Sequence, residues 1–348
     1  MSYSVLIELP KGSLEMSGVT RKQTSGHAQD AEAPEGGSPS GTFRIGVRRD
    51  SVDDDDDDDD LDEEPERASS SWKRGSRPPE QYSSAWCECS DAYSVFAESV
   101  TGPFARDAAR LVHLRPGAEV LDVAAGTGAF TFAAAERGAK VLATDFSPKM
   151  IDSLRQHCIG RGLSQVETAV MDGMNLALPE NSFDVSASLF GLMFFPDHMR
   201  GLAELFRVTK PGGQAVIATW ALPARVELMR LVGETAMLAD IAVPSESTPT
   251  WLELASEREL KRRFLAQGFS NAHVVSVTHV WVLEKAELFA EFLPLMTPSS
   301  VSLFDRMTEE EKVRFRDVLV QGFHERQGKG PYAVTSQALI AVGTKPRA

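Results

Sequence analysis

The sequence predicts a doubly wound, mostly parallel α/β sheet, and three observations lead to that prediction. Short apolar strands alternate with helical segments between residues 118 and 220, which is typical of a parallel sheet with helices on both faces. A turn of small residues joins the first strand to the helix that follows it. Acidic residues stand at the ends of the first three strands, the edge at which open α/β sheets bind ligands.

The alternating region divides into five strands and three helices. The predicted strands are 118–124, 139–144, 166–170, 183–190 and 214–220, and the predicted helices are 130–137, 147–161 and 198–208. Ser147 followed by Pro148 is typical of an N-cap and the first turn of a helix. Residues 210–213, with the sequence Lys-Pro-Gly-Gly, predict a turn into the fifth strand.

The flanking segments are less regular. Apolar side chains at helical spacing predict one or two helices between residues 91 and 112. After residue 220, the pattern predicts four helices and two strands. The helices are 225–239, 257–267, 284–295 and 309–324, and the strands are 272–283 and 333–343.

Residues 1–80 differ in composition from the rest of the chain. They hold 19 acidic and 10 basic side chains, which gives a net charge of −9. Residues 81–348 hold 31 acidic and 26 basic side chains, which gives a net charge of −5. Residues 53–60 are eight consecutive aspartates, which repel one another and bury too little apolar surface to offset their chain entropy. We expect a disordered acidic extension over 1–80 and one folded domain over 81–348. Residues 2–9 alternate like a short strand, without an evident partner.

Charge and cysteine content limit the classes of partner. The mildly acidic domain does not favour nucleic acid, because affinity for a phosphate backbone depends on Lys and Arg. The extension is either a solvated tail or a docking arm for a basic protein partner. Cys87 and Cys89 lack a second ligand pair, so we expect no metal site. No segment reaches the ~18 apolar residues of a membrane span, and we expect a cytoplasmic protein, with organelle targeting left open.

The strongest chemical signal is the turn after the first strand, over residues 120–130. Small residues allow the backbone to approach a ligand, and the N-terminus of the next helix presents free N–H groups. Gly126 and Gly128 have Gly-x-Gly spacing and lack the third glycine with which a dinucleotide site seats its pyrophosphate. Asp122, at the end of the strand, also favours a ligand without phosphate.

Further acidic residues follow the next two strands. Asp145, seventeen residues after Gly128, is placed to accept hydrogen bonds from both hydroxyls of a ribose. Asp172 follows the third strand, where it is either a ligand for an adenine amino group, with Met171 beside the ring, or a turn-forming Asp. The end of the fourth strand, at residues 188–191, is expected beside the same crevice.

From these motifs, residues 89–220 resemble the core of the class I S-adenosylmethionine-dependent methyltransferases. They are most similar to the small-molecule branch that includes ubiquinone and menaquinone biosynthesis. The matching segments are the glycine turn, 144–147 with Met150, Asp172, the Phe183-Asp184 pair and 210–213. The resemblance implies the Rossmann-like methyltransferase fold with helical lid insertions, a seven-stranded sheet whose last strand is antiparallel and inserted beside the fifth, and S-adenosylmethionine as cofactor.

The resemblance also implies the residues that bind the cofactor. Asp122, Gly126 and Gly128 would border the methionine moiety, while Asp145 would hold the ribose and Asp172 the adenine. The full predicted set is Asp122, Ala124, Ala125, Gly126, Thr127, Gly128, Asp145, Phe146, Ser147, Met150, Met171, Asp172, Gly173, Ser188 and Phe190. The family often has glycine at the positions of Ala124 and Ala129. No catalytic base is identified.

The implied methyl acceptor is a small lipophilic or aromatic molecule. An apolar lid over it is predicted from residues 192–195, Trp86, Phe96 and the insertion 223–251. The Asn/Asp-Pro-Pro-aromatic signature of methyltransferases that act on nucleic-acid amino groups is absent. Two alternatives are an NAD-dependent oxidoreductase on a similar sheet and a non-catalytic, methyltransferase-like interaction protein. A competition binding experiment with S-adenosylhomocysteine and NADH would distinguish a methyltransferase from the NAD-dependent oxidoreductase.

Overall fold

A computed structural model describes residues 5–6, 78–243 and 250–347, all within one compact unit. The predicted acidic extension otherwise lies outside the described residues. The strands are β1 (Val5–Leu6), β2 (Glu119–Val123), β3 (Lys140–Asp145), β4 (Val166–Val170), β5 (Phe183–Leu189), β6 (Thr209–Trp220), β7 (Ser270–Leu283) and β8 (Tyr332–Thr344). The α-helices are α1 (Ser83–Leu111), α2 (Ala129–Ala135), α3 (Pro148–Gly160), α4 (His198–Val208), α5 (Glu227–Leu238), α6 (Glu257–Gln267), α7 (Ala286–Phe292), α8 (Pro298–Asp305) and α9 (Glu309–Gln327).

The sheet has the topology that the resemblance implies. Its order is β1-β7-β8-β6-β5-β2-β3-β4. Within the described sheet, β8 alone is antiparallel, and it is inserted between β6 and β7. The seven-stranded α/β sheet is therefore confirmed, with β6 as its fifth strand. The two-residue β1 adds an eighth strand at the edge by pairing in parallel with Trp281 and Val282, so Val5 and Leu6 of the predicted strand do have a partner.

The Lys-Pro-Gly-Gly segment is part of β6 rather than a turn before it. Phe183 pairs with Thr209, but Val185 pairs with Gln214, so the register shifts and residues 210–213 bulge out of the ladder. A Cβ at Gly213 would lie 2.8 Å from the carbonyl oxygen of Asp184. The predicted turn was wrong because these residues form a bulge within β6, where the Gly212 N–H donates to the Lys345 carbonyl oxygen at 2.8 Å and glycine permits a close approach.

The folded part begins before the predicted boundary at residue 81. Pro79–Gln81 forms a 3-10 helix, and Glu80 within it is buried. The indole N–H of Trp86 donates to the Glu80 carbonyl oxygen at 2.9 Å, which ties this turn to α1. The predicted helix over 91–112 starts earlier, at Ser83, and continues through Pro103 as one helix.

Two apolar cores hold the described chain together. The larger core lies against the sheet β2–β6 and β8, and the smaller one joins α5, α7, α8 and α9 to the far ends of β7 and β8. Phe96 belongs to the smaller core, 5.3 Å from Phe292 between ring centroids. No helix in the described ranges is long and apolar enough to cross a membrane.

Candidate cofactor and acceptor site

A cleft of about 1190 Å³, including its open mouth, lies at the carboxyl ends of β2–β5. The loops after these strands form its floor. The 3-10 helix at 79–81 and the part of α1 from Trp86 to Thr101 form its roof. This is the position at which parallel α/β sheets bind ligands.

The loop between β2 and α2 is tightly folded. Ala124, Gly126 and Gly128 have φ angles of 55°, 55° and 103°, in the left-handed region that favours glycine. Backbone strain alone costs about 1 kcal/mol when the residue is alanine, as at Ala124. A Cβ on Gly191, in the loop after β5, would lie 2.4 Å from that of Ala124. The loops after β2 and β5 are therefore in direct contact across the cleft floor.

Asp145, at the end of β3, connects two of these loops. One carboxylate oxygen accepts from the Gly126 N–H at 2.9 Å and the other from the Ser147 N–H at 2.9 Å. The Ser147 hydroxyl in turn accepts from the Met150 N–H, as predicted for an N-cap. Burial raises the pKa of Asp145 to about 6, although the backbone hydrogen bonds oppose this change.

Asp122 lies deeper in the floor, with only 1% of its surface exposed. Its carboxylate accepts from the Thr131 hydroxyl at 2.7 Å. Burial raises the pKa of Asp122 to about 7, and the charge of Asp145 acts in the same direction. Among the described residues that line the cleft there is no Lys, Arg or His. Two buried carboxyl groups without a cationic neighbour fit a ligand with positive charge, such as a sulfonium with an amino group, and disfavour a pyrophosphate.

Asp172 is exposed at the cleft rim. Its carboxylate accepts from the Met174 N–H at 2.8 Å, and its carbonyl accepts from the Asn175 N–H at 3.0 Å. Asp172 therefore forms a turn, which was one of its two predicted roles, and it also lines the cleft. A Cβ on the following Gly173 would lie 2.5 Å from the Phe195 ring, so glycine lets this loop meet that ring.

The structure brings twelve of the fifteen predicted residues to the cleft surface. These twelve are Asp122, Ala124, Ala125, Gly126, Thr127, Asp145, Phe146, Met150, Met171, Asp172, Gly173 and Phe190. The other three support the loops from behind. Gly128 caps α2, Ser147 caps α3, and the Ser188 hydroxyl accepts from the Leu192 N–H at 3.0 Å.

Aromatic side chains form the upper part of the cleft. The Trp86 ring lies 5.5 Å from Tyr93 and 5.7 Å from Phe194 between centroids, and Phe195 lines the same space. Of the residues predicted for the lid, Trp86, Phe194 and Phe195 line the cleft, whereas Leu192 and Met193 are buried in the larger core. The lid prediction was wrong for Phe96, because that side chain faces the smaller core, and no described residue of 223–251 reaches the cleft.

Sequence reasoning missed several roof residues. Glu80 was assigned to the tail, and Tyr93, Ala97 and Thr101 were treated as ordinary helix positions. All four line the cleft. Trp86, Tyr93, Ala97 and Thr101 are spaced by seven, four and four residues, which places them on one helix face. That spacing was the available signal.

Parts of the chain are similar to known proteins. The family profile described as "Methyltransferase domain" matches residues 121–217. An uncharacterised protein of Mycobacterium tuberculosis is 34% identical over 128 residues, which cover 37% of this chain and 46% of the relative. The chain thus spans about half the length of that relative. A putative methyltransferase structure from Bacillus halodurans has a TM-score of 0.46 at 19% identity, covering 70% of this chain and 98% of the other.

Demethylmenaquinone methyltransferases are also among the relatives. The protein of that name from Corynebacterium urealyticum is 35% identical over 172 residues, covering 47% of this chain and 72% of the relative. This match favours the methyltransferase prediction over the oxidoreductase alternative. The chain therefore belongs to the class I S-adenosylmethionine-dependent methyltransferases of the menaquinone and ubiquinone type, and its cofactor is S-adenosylmethionine.

Proposed function

We propose that this protein transfers a methyl group to a small, lipophilic, aromatic acceptor that carries a hydroxyl group. The aromatic roof over the cleft supports this proposal most strongly. Trp86, Tyr93, Phe194 and Phe195 offer flat apolar surfaces, and the described lining has no basic side chain to bind a phosphate or carboxylate on the acceptor. The names of the curated relatives suggest a naphthohydroquinone as the acceptor class.

The cofactor supplies a methyl group activated by its sulfonium, and the protein supplies position and charge. Asp122 and the loop at Gly126 are proposed to hold the methionine moiety, with Asp145 at the ribose and Asp172 with Met171 at the adenine. The aromatic roof would exclude water and align the acceptor. Orientation of two reactants can lower a barrier by several kcal/mol, up to about ten.

The proposed acceptor class is tested by direct transfer. The protein is incubated with methyl-labelled S-adenosylmethionine and 2-prenyl-1,4-naphthohydroquinone, kept reduced, and the organic and acid-insoluble fractions are counted. Label in the organic fraction that increases with the hydroquinone supports the proposal. Label that appears only in the acid-insoluble fraction, when host extract replaces the hydroquinone, would contradict it and indicate a protein or nucleic-acid acceptor.

Replacing Asp145 with alanine is expected to weaken S-adenosylmethionine binding by roughly 1.5–3 kcal/mol, because charged hydrogen bonds to the ribose are lost. Its bonds to the N–H groups of Gly126 and Ser147 are lost as well. Isothermal titration calorimetry measures the change. Asp152→Ala is a matched control, since Asp152 lies exposed on α3 and its carboxylate pairs with Arg155. If the two variants bind S-adenosylmethionine with equal affinity, the assignment of Asp145 to the cofactor site is wrong.

A further inference from the structure

The cleft contains one carboxyl group that the proposed cofactor site does not use. Glu80 stands in the roof, on the short 3-10 helix that precedes α1, and only 9% of its surface is exposed. It lines the same cleft as Asp122 and Asp145. Those two carboxyl groups belong to the floor, whereas Glu80 approaches from the side of the aromatic residues.

Two contacts hold Glu80 in place. Its carbonyl oxygen accepts from the indole N–H of Trp86 at 2.9 Å. Its carboxylate accepts a hydrogen bond from the hydroxyl of Ser299, in the first turn of α8. A buried carboxyl group fixed at both its backbone and its side chain has a defined position relative to the Trp86 ring. It is therefore suited to meet a particular atom of a bound molecule.

The other ionisable groups on the described lining are already engaged or have the wrong chemistry. Asp122 and Asp145 lie in the floor and are assigned above to the methionine moiety and the ribose of the cofactor. Asp172 is exposed and folded back on its own loop. Burial raises the pKa of Tyr93, so its phenol stays protonated and does not accept a proton. Glu80 remains as the base candidate.

The surroundings of Glu80 also favour proton transfer. Burial raises the pKa of Glu80, while hydrogen bonds from backbone N–H groups act against this change. A carboxylate with a raised pKa is a stronger base than one with an ordinary pKa.

We propose that Glu80 accepts the proton of the acceptor hydroxyl while the methyl group is transferred. The inference rests on the proposed function. The O–H bond breaks, its proton goes to a Glu80 carboxylate oxygen, and its electron pair increases the density on the oxygen and the conjugated ring carbon. That nucleophile forms the new bond to the methyl carbon, and the carbon–sulfur bond breaks with its pair remaining on sulfur. One proton is released to solvent for each methyl group transferred. For transfer to ring carbon, loss of the ring proton and reprotonation of the oxygen restore the aromatic ring.

The test compares Glu80→Gln with Glu88→Gln, an equivalent change at an exposed position of α1. With 2-prenyl-1,4-naphthohydroquinone as the probe, kcat of Glu80→Gln is expected to fall about 10²-fold or more. The acidic limb of its kcat–pH profile should also disappear. Affinity for S-adenosylhomocysteine, measured by calorimetry, should stay within about twofold of wild type, which shows that the site is folded. A kcat within about threefold of wild type, with an unchanged pH profile, overturns the proposal.

A binding measurement separates this inference from the proposed function. Calorimetric titration of 1-naphthol into the complex with S-adenosylhomocysteine reports whether Glu80 binds an aromatic hydroxyl without any transfer. We expect affinity for 1-naphthol to fall at least tenfold in Glu80→Gln and to be unchanged in Glu88→Gln. If wild type transfers no methyl group to the hydroquinone but shows this Glu80-dependent binding, the proposed transfer fails and the role of Glu80 at the hydroxyl stands. If 1-naphthol does not bind, or binds equally to both variants, the inference fails.

Discussion

Replacing Gly128 with alanine is expected to destabilise the protein by about 2–5 kcal/mol, because the substitution combines backbone strain with overpacking. Gly128 has a φ angle of 103°, which an L side chain rarely adopts. An added Cβ would also lie 2.3 Å from a methyl carbon of Leu154 and 2.8 Å from the Phe132 ring. Both neighbours are buried, so they have little room to move.

Urea denaturation of the purified protein measures the change in the free energy of unfolding. Gly117→Ala is the matched control, because Gly117 also has a positive φ, 78°, but an added Cβ would meet nothing within 4 Å. It should lose only about 1 kcal/mol, from strain alone. If the two variants lose the same free energy, the contacts of Gly128 with α2 and α3 have no role in its requirement for glycine.

Replacing Asp122 with asparagine is expected to stabilise the cofactor-free protein at pH 8 by roughly 2–3 kcal/mol more than it does at pH 4.5. Burial raises the pKa of Asp122 to about 7 from 3.8. Between these values the folded protein keeps a proton that the unfolded chain has released. The wild type therefore loses stability as the pH rises through this window, and asparagine has no such loss. The asparagine side chain can still accept from the Thr131 hydroxyl.

The measurement is a pair of urea denaturation curves for wild type and variant at each pH. Asp145 titrates in both proteins, so its contribution largely cancels when the two differences are compared. A difference between variant and wild type that is independent of pH would show that Asp122 is ionised with an ordinary pKa. A variant that is more stable but binds S-adenosylmethionine more weakly would show that the carboxylate is retained for the ligand.

Local signals predicted the central part of the fold well. The α3 N-cap at Ser147, the strand Val166–Val170 and the helix His198–Val208 have the predicted bounds. In these segments, capping chemistry, apolar periodicity and tertiary packing favour the same structure. Helix α8 was missed because its N-terminal signal is a capping box of Thr297 and Ser300 rather than a long apolar pattern.

The sequence predicted the residues of the cofactor half of the site, but it did not predict those of the roof. The loops that follow the strands have recognisable residue patterns, and these patterns predicted Asp122 and Asp145 as site residues. Glu80 follows a long polar and acidic segment and reads as part of it. Its burial depends on Trp86 and on Ser299, more than two hundred residues away in the chain, and no local pattern encodes such a contact.

The insertion of β8 between β6 and β7 has a consequence for synthesis on the ribosome. Of the described strands, β8 is the last to be made, yet it occupies an interior position of the sheet. Until it emerges, β6 and β7 each expose a row of unpaired N–H and C=O groups together with apolar side chains. Such edges are the places where nascent chains associate wrongly. Synthesis of β8, rather than assembly of the cofactor loops, is thus the step that covers the edges of β6 and β7.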